Sequence, residues 1–125
     1  MLKKIALIIT LIYTIALAII SLIRLNNLPD IGVSFGDKIF HFLAYGLLTF
    51  LWYQAFLQSF KFKIKRAIYS AVILSVIFGI IIEVLQGTIT VVRAMDVYDA
   101  VANTLGALLV SIFLCFKNSL HIKNS

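Results

Sequence analysis

Polar side chains that could bind a charged ligand or transfer a proton recur at helical spacing in this sequence. Asp37, His41 and Tyr45 follow one another at intervals of four residues. Because each residue of an α-helix turns the chain by about 100°, these side chains fall within about 80° of arc on one helix face. A histidine among carboxylates is suited to general acid–base chemistry, and carboxylates, amides and cations together can hold a polar head group.

Two further polar stripes lie later in the chain. Glu83 and Gln86 are three residues apart, and Asp96, Asp99 and Asn103 are separated by steps of three and four residues. Both spacings place the members of a stripe on one face of a helix. With the cations that flank them, the three stripes supply the residues that we predict to line one ligand-binding pocket: Asp37, Lys38, His41, Tyr45, Glu83, Gln86, Arg93, Asp96, Asp99 and Asn103.

The elements that must position these stripes are four apolar segments. Of the 125 residues, 62% are hydrophobic and only 13% are charged, whereas soluble domains are roughly 45–50% apolar and roughly 25% charged. A helix of about 20 apolar residues crosses the hydrocarbon core of a membrane. The sequence therefore predicts one all-α domain over residues 1–125, a four-helix transmembrane bundle with helices at about 5–23, 39–60, 67–85 and 97–116.

All three stripes fall at matching ends of these segments, in the outer quarter of the membrane. An ionisable side chain in hydrocarbon costs several kcal/mol unless it faces protein or water and has a partner. We therefore expect His41, Glu83 and Asp99 to point inward, toward one another. Lys38 and Arg93 are the available cationic partners. The expected result is a polar pocket that opens to one side of the membrane.

The charge distribution predicts the orientation of the bundle. All five acidic residues lie in or beside the connections that follow the first and third segments. Eight of the eleven basic residues lie at the opposite end, in the N-terminal stretch, the middle connection and the tail. Because Lys and Arg are retained on the cytoplasmic side, both termini are predicted to be cytoplasmic and the pocket to face outward. The basic middle connection also favours contact with anionic membrane lipids.

Several of the pocket residues also fit a structural role. Asp37 and Asp96 stand where helices are expected to begin, so either carboxylate could be an N-cap. Tyr45 fits the aromatic belt of a membrane protein, and His41 fits a simple hydrogen bond to a neighbouring helix. Glu83 is the hardest to explain structurally, because it lies inside an apolar segment and away from any helix N-terminus.

The remaining composition bears on partners and cofactors. The net charge of +6 is compatible with nucleic-acid binding, but no basic stripe alternates with a folded polar surface, so we expect no nucleic-acid partner. The single cysteine, Cys115, excludes an intramolecular disulfide. His41, Glu83 and Asp99 come from three different segments, so their spacing identifies no metal site, and we expect no cofactor.

The order and spacing of these motifs resemble those of the VanZ-like family of small bacterial membrane proteins. The resemblance implies a four-helix protein of the bacterial plasma membrane and cell envelope. The relative that gives this family its name is associated with low-level resistance to the glycopeptide antibiotic teicoplanin. The likeness covers about residues 36–110, and the family's motif residues map onto these positions: Asp37, His41, Glu83, Gln86, Arg93, Asp99 and Asn103.

Three kinds of function compete on these grounds, and transport, which would need oligomers because one four-helix copy is narrow, is the remaining alternative. In the preferred one, the pocket binds a membrane lipid, a lipid-linked cell-wall precursor or a glycopeptide antibiotic, with Arg93 and Lys38 contacting anionic groups. In the second, His41, Glu83 and Asp99 are the catalytic candidates of a membrane-embedded hydrolase or transferase that acts on a lipid-linked envelope substrate, with or without a divalent metal. In the third, the polar residues only hold the helices together.

Overall fold

Four helices make up the part of the chain that the computed structural model describes. This part comprises the backbone of residues 2–23, 34–89 and 97–124, and the side chains of residues 4–22, 39–85 and 100–118. The helices are α1 (Leu2–Ile23), α2 (Ser34–Gln58), α3 (Ile64–Ile89) and α4 (Val97–Asn124).

Each helix contains a stretch of 19 to 22 residues that is long and apolar enough to cross a membrane. The prediction of an all-α, four-helix transmembrane bundle is thus confirmed, while the cytoplasmic placement of both termini stays a prediction. The end of the bundle where α1 and α3 finish and α2 and α4 begin is called the polar end below. The opposite end, where residues 59–63 join α2 to α3, carries Lys61 and Lys63 and is called the basic end.

The start of α2 differs from the predicted one. The helix begins at Ser34, five residues before the predicted start, so Asp37 is its fourth residue and the N-cap interpretation of Asp37 is wrong. The reason is physical: apolar content marks only the part of a helix that lies in hydrocarbon, and α2 continues past that part. Similarly, α4 continues to Asn124, eight residues beyond the predicted end.

The basic end turns at a residue that the sequence does not mark. The predicted second helix reached residue 60, but α2 ends at Gln58, and Lys61 adopts the left-handed conformation with φ of 57°. Glycine is the usual residue in this conformation, and because no glycine stands here, the sequence did not predict the end of the helix. The Phe62 ring stacks on Phe56 with centroids 5.2 Å apart, and the Arg66 guanidinium lies 4.1 Å above the Phe62 ring. These contacts fix the turn against the bundle.

The closest approach in the bundle is between α2 and α4, and glycines make it possible. A Cβ atom on Gly106 would overlap the carbonyl oxygen of Phe42, so only glycine lets the two backbones come this close. One turn farther along α4, Val110 fills the space beside Gly46, with its Cγ2 3.3 Å from where a Cβ on Gly46 would stand. Gly106 is therefore a packing residue of the contact between α2 and α4.

Hydrogen bonds attach α1 to α2 within the membrane. The Tyr13 hydroxyl donates to the carbonyl oxygen of Ala44 at 2.7 Å, and Trp52 Nε1 donates to Thr14 Oγ1 at 3.0 Å. In hydrocarbon a polar group has no water to bond, so it needs a partner inside the protein. These bonds hold α1 on α2 and leave α3 less closely covered by α1.

Candidate functional site

Four of the ten predicted pocket residues have described side chains, and all four are buried. His41 and Tyr45 on α2, Glu83 on α3 and Asn103 on α4 are 2%, 0%, 3% and 2% exposed. We call these four residues the polar cluster. The burial of Tyr45 shows that it does not belong to an aromatic belt at the membrane surface. A buried histidine and carboxylate inside a membrane bundle are typical of a functional site.

The Tyr45 ring lies between the rings of His41 and Phe78. Its ring centroid is 6.3 Å from that of His41, with the ring planes inclined at 30°. On its other side, the ring of Phe78 on α3 is 6.0 Å away, at 42°. The four-residue spacing of His41 and Tyr45 thus places both rings on the buried face of α2, as predicted.

Gly79 allows α2, α3 and α4 to meet beside Tyr45. A Cβ atom on Gly79 would stand 3.1 Å from Tyr45 Cε2 and 3.1 Å from Asn103 Nδ2. Without that Cβ, both side chains reach the backbone of α3. Glu83 follows Gly79 by one turn on the same face, closer to the polar end. Tyr45 of α2, Asn103 of α4 and the backbone of α3 therefore meet at Gly79.

The Asn103 side chain has an unusual environment. Neither its Oδ1 nor its Nδ2 has a hydrogen-bond partner among the residues that the structure describes. A buried polar group left without a partner costs about 1–3 kcal/mol. A carboxamide at this position is therefore costly, and a bound molecule that bonds to it would remove the cost.

A hydrogen-bonded pair of hydroxyls closes the polar cluster on the side of the membrane centre. Thr49 Oγ1 lies 2.8 Å from Ser75 Oγ and 2.8 Å from the carbonyl oxygen of Tyr45. Thr49 is one turn beyond Tyr45, and Ser75 is one turn before Gly79. The predicted pocket omitted this pair, although extending the α2 stripe inward by four residues from Tyr45 and the α3 stripe by eight residues from Glu83 identifies it.

The other predicted pocket residues belong to segments whose side chains lie outside the described part of the chain, so their contacts with the polar cluster stay predictions. Asp96, the second N-cap candidate, also lies outside it, directly before the first residue of α4. Within the described side chains, no three His, Cys, Asp or Glu residues gather into a set that could hold a metal ion. The residues outside the described side chains are Asp37, Lys38, Gln86, Arg93, Asp96 and Asp99.

Comparison with known proteins places this architecture in a family. The family described as VanZ/LLP1 matches residues 4–118, a range that includes parts of all four helices and all ten predicted pocket residues. Neither the comparison with curated proteins nor the comparison with solved structures gave a match. Because the family match covers well over half of the sequence, this four-span chain belongs to the VanZ/LLP1 family.

Proposed function

We propose that this VanZ-like protein resides in the bacterial plasma membrane and binds the polar part of a cell-surface molecule in the polar cluster. The molecule is a membrane lipid, a lipid-linked cell-wall precursor or a glycopeptide antibiotic such as teicoplanin. The observation that carries the proposal is the Asn103 amide, which is buried and has no hydrogen-bond partner among the described residues. A ligand that offers both a donor and an acceptor would satisfy its two atoms.

A purely structural role explains Asn103 less well than it explains the other buried polar groups. Tyr13 bonds to the backbone of α2, and Thr49 lies within hydrogen-bond distance of Ser75 on α3. These groups stabilise helix contacts through the bonds that they form. The Asn103 amide forms no such bond with the described residues, so a leucine of similar volume would pack there at lower cost.

The chemistry of the polar cluster fits a head group that is rich in hydrogen-bond donors and acceptors. The Glu83 carboxylate is an acceptor when ionised, the Asn103 amide both donates and accepts, and the Tyr45 phenol does the same. Together they would fix the orientation of a sugar, peptide or hydroxylated head group. Lys38 and Arg93, which the spacing of the stripes predicts at the same end, would contact its anionic groups.

The charge distribution supports the access of a ligand to the polar cluster from outside the cell. With the basic end held in the cytoplasm, the polar end faces the outer leaflet. Cell-wall precursors are exposed there after export, and glycopeptide antibiotics arrive from that side. The site and these ligands would then share one compartment.

The experiment that tests this function is teicoplanin susceptibility in a Gram-positive host that lacks the protein. Cells carry an empty vector, the wild type, Asn103→Leu or Thr10→Val, with membrane abundance matched by immunoblot. Thr10 is the matched control, since it is also buried, at 1% exposure, and its Oγ1 lies 3.1 Å from the carbonyl oxygen of Leu51, away from the polar cluster.

We expect the wild type and Thr10→Val to raise the inhibitory concentration of teicoplanin and Asn103→Leu to leave it at the vector level. If Asn103→Leu protects as well as the wild type, the polar cluster does not take part in the protection against teicoplanin. If the wild type gives no protection, the antibiotic is not the ligand. Native mass spectrometry of the wild type and Asn103→Leu then asks whether a lipid co-purifies with the wild type alone, and its absence from both would refute the binding function.

A further inference from the structure

A groove with a volume of about 610 Å³ runs along α3 between α1 and α2. It exists because α1 is fastened to α2 and covers α3 less closely. Ile73, Ile77 and Ile81 border the groove on α3 and remain about half exposed. Trp52 forms part of the α2 wall, and Thr14 part of the α1 wall.

The polar atoms of these two walls are already bonded to protein. Trp52 Nε1 donates to Thr14 Oγ1 at 3.0 Å, and Thr14 Oγ1 in turn donates to the carbonyl oxygen of Thr10 at 2.7 Å. The indole and the threonine therefore present mainly carbon to the groove. An apolar chain can lie against such a surface without leaving a polar group unpaired.

We infer that this groove holds one acyl chain of the molecule whose polar part occupies the polar cluster, which makes the ligand a lipid; this inference rests on the proposed function. Phe78 connects the two sites. Its side chain lines the groove, and its ring lies 6.0 Å from the ring of Tyr45. Ile81, at one end of the groove, is two residues from Glu83 in the sequence but about 200° around the helix from it. Phe78 is therefore the side chain that adjoins both the groove and the polar cluster.

The direction of the groove matches that of a lipid tail. From Ile81 to Ser70, its lining follows α3 for eleven residues, or about 16 Å at 1.5 Å per residue. It leads from the polar end toward the membrane interior. A lipid with its head group at the polar end must extend its tails in this direction. Because the bilayer is as apolar as the groove, packing rather than hydrophobic transfer would hold the chain there.

Trp52 provides a direct test, because it is the only tryptophan in the chain and is largely buried. The full chain is reconstituted in phosphatidylcholine vesicles, with and without phosphatidylcholine whose acyl chains carry bromine near their middle. Bromine quenches tryptophan fluorescence on contact, so an acyl chain in the groove would quench Trp52. Three proteins are compared, namely the wild type, Ile77→Phe, which narrows the groove, and the control Ile80→Phe.

Ile80 is a matched control because it lies on the same helix and is 50% exposed, against 52% for Ile77, but does not line the groove. We expect strong quenching in the wild type and in Ile80→Phe, and loss of most of the quenching in Ile77→Phe. Ile73→Phe, which also narrows the groove, should repeat the loss. Circular dichroism confirms that each variant is helical.

An unquenched Trp52 in the wild type would overturn the inference, as would equal quenching in Ile77→Phe and Ile80→Phe. Quenching that is absent at a high protein-to-lipid ratio and appears only at a low one would show that a second copy of the chain fills the groove. That result would also overturn the inference. The quenching reports an acyl chain beside Trp52, and all the proteins compared in this assay keep Asn103. A negative result for Asn103 in the susceptibility assay and a negative result for the groove in the quenching assay can therefore be told apart.

Discussion

Replacing Gly106 with alanine should push α2 and α4 apart. The added Cβ would overlap the carbonyl oxygen of Phe42, and carbon–oxygen contacts of this kind normally span about 3.3–3.6 Å, so the helices must separate by about 1 Å. Overpacking of this sort costs about 1–3 kcal/mol. Alanine is the better helix former by up to about 1 kcal/mol. We expect Gly106→Ala to lower the free energy of unfolding by about 1–2 kcal/mol in total.

Gly46→Ala is the matched comparison, because it adds the same methyl group to the same helix pair. Its Cβ would meet Val110 Cγ2 at 3.3 Å, and a side chain can move by a few tenths of an ångström where a backbone carbonyl cannot. We expect a loss below about 0.5 kcal/mol. The assay is unfolding in mixed micelles of rising SDS fraction, followed by circular dichroism. Equal stability of Gly106→Ala and wild type, or a larger loss in Gly46→Ala, would refute the packing argument.

Three further predictions concern the site and the orientation of the bundle. Gly79→Ala should displace Tyr45 and Asn103, each 3.1 Å from the new Cβ, and should reduce teicoplanin protection at matched abundance while changing the SDS unfolding midpoint little. Thr49→Val removes the hydroxyl next to Ser75 and should lower the free energy of unfolding by about 0.6 kcal/mol in the same SDS assay; no change would mean that this contact adds no stability. Reporter fusions at the two termini should both report the cytoplasm, and a periplasmic or external signal from either would reverse the proposed access route.

The fold could be predicted largely from composition, and the helix boundaries could not. Four apolar stretches specify four spans, because each is long enough for the hydrocarbon core and contains few charges. A helix can continue beyond the hydrocarbon core of the membrane. A prediction based on apolar content therefore missed the first turns of α2, which include Asp37. Lys61 closes α2 in a conformation that lysine rarely adopts, so nothing in its side chain marks the end of the helix.

The candidate site was predictable within each helix but not between helices. The spacing of His41 and Tyr45 identified one face of α2, and that face is buried. Spacing states which residues share a face, and it does not state which residue of another helix they meet. Two contacts depend on how three helices pack: Asn103 lies against the backbone at Gly79, and Gly106 lies against Phe42. The groove beside Trp52 escaped prediction for the same reason.

The close approach of α2 and α4 has a consequence for the biosynthesis of this protein. The two helices that pack most tightly are separated in the chain by all of α3 and its connections. During translation, α2 therefore enters the membrane well before the Gly106 surface that covers it exists. The surface of α2 at Phe42 and Gly46 therefore has no α4 partner until the ribosome has produced α4. A chain that stops before Gly106 would leave this surface facing lipid, which quality-control proteases can recognise as a sign of incomplete synthesis.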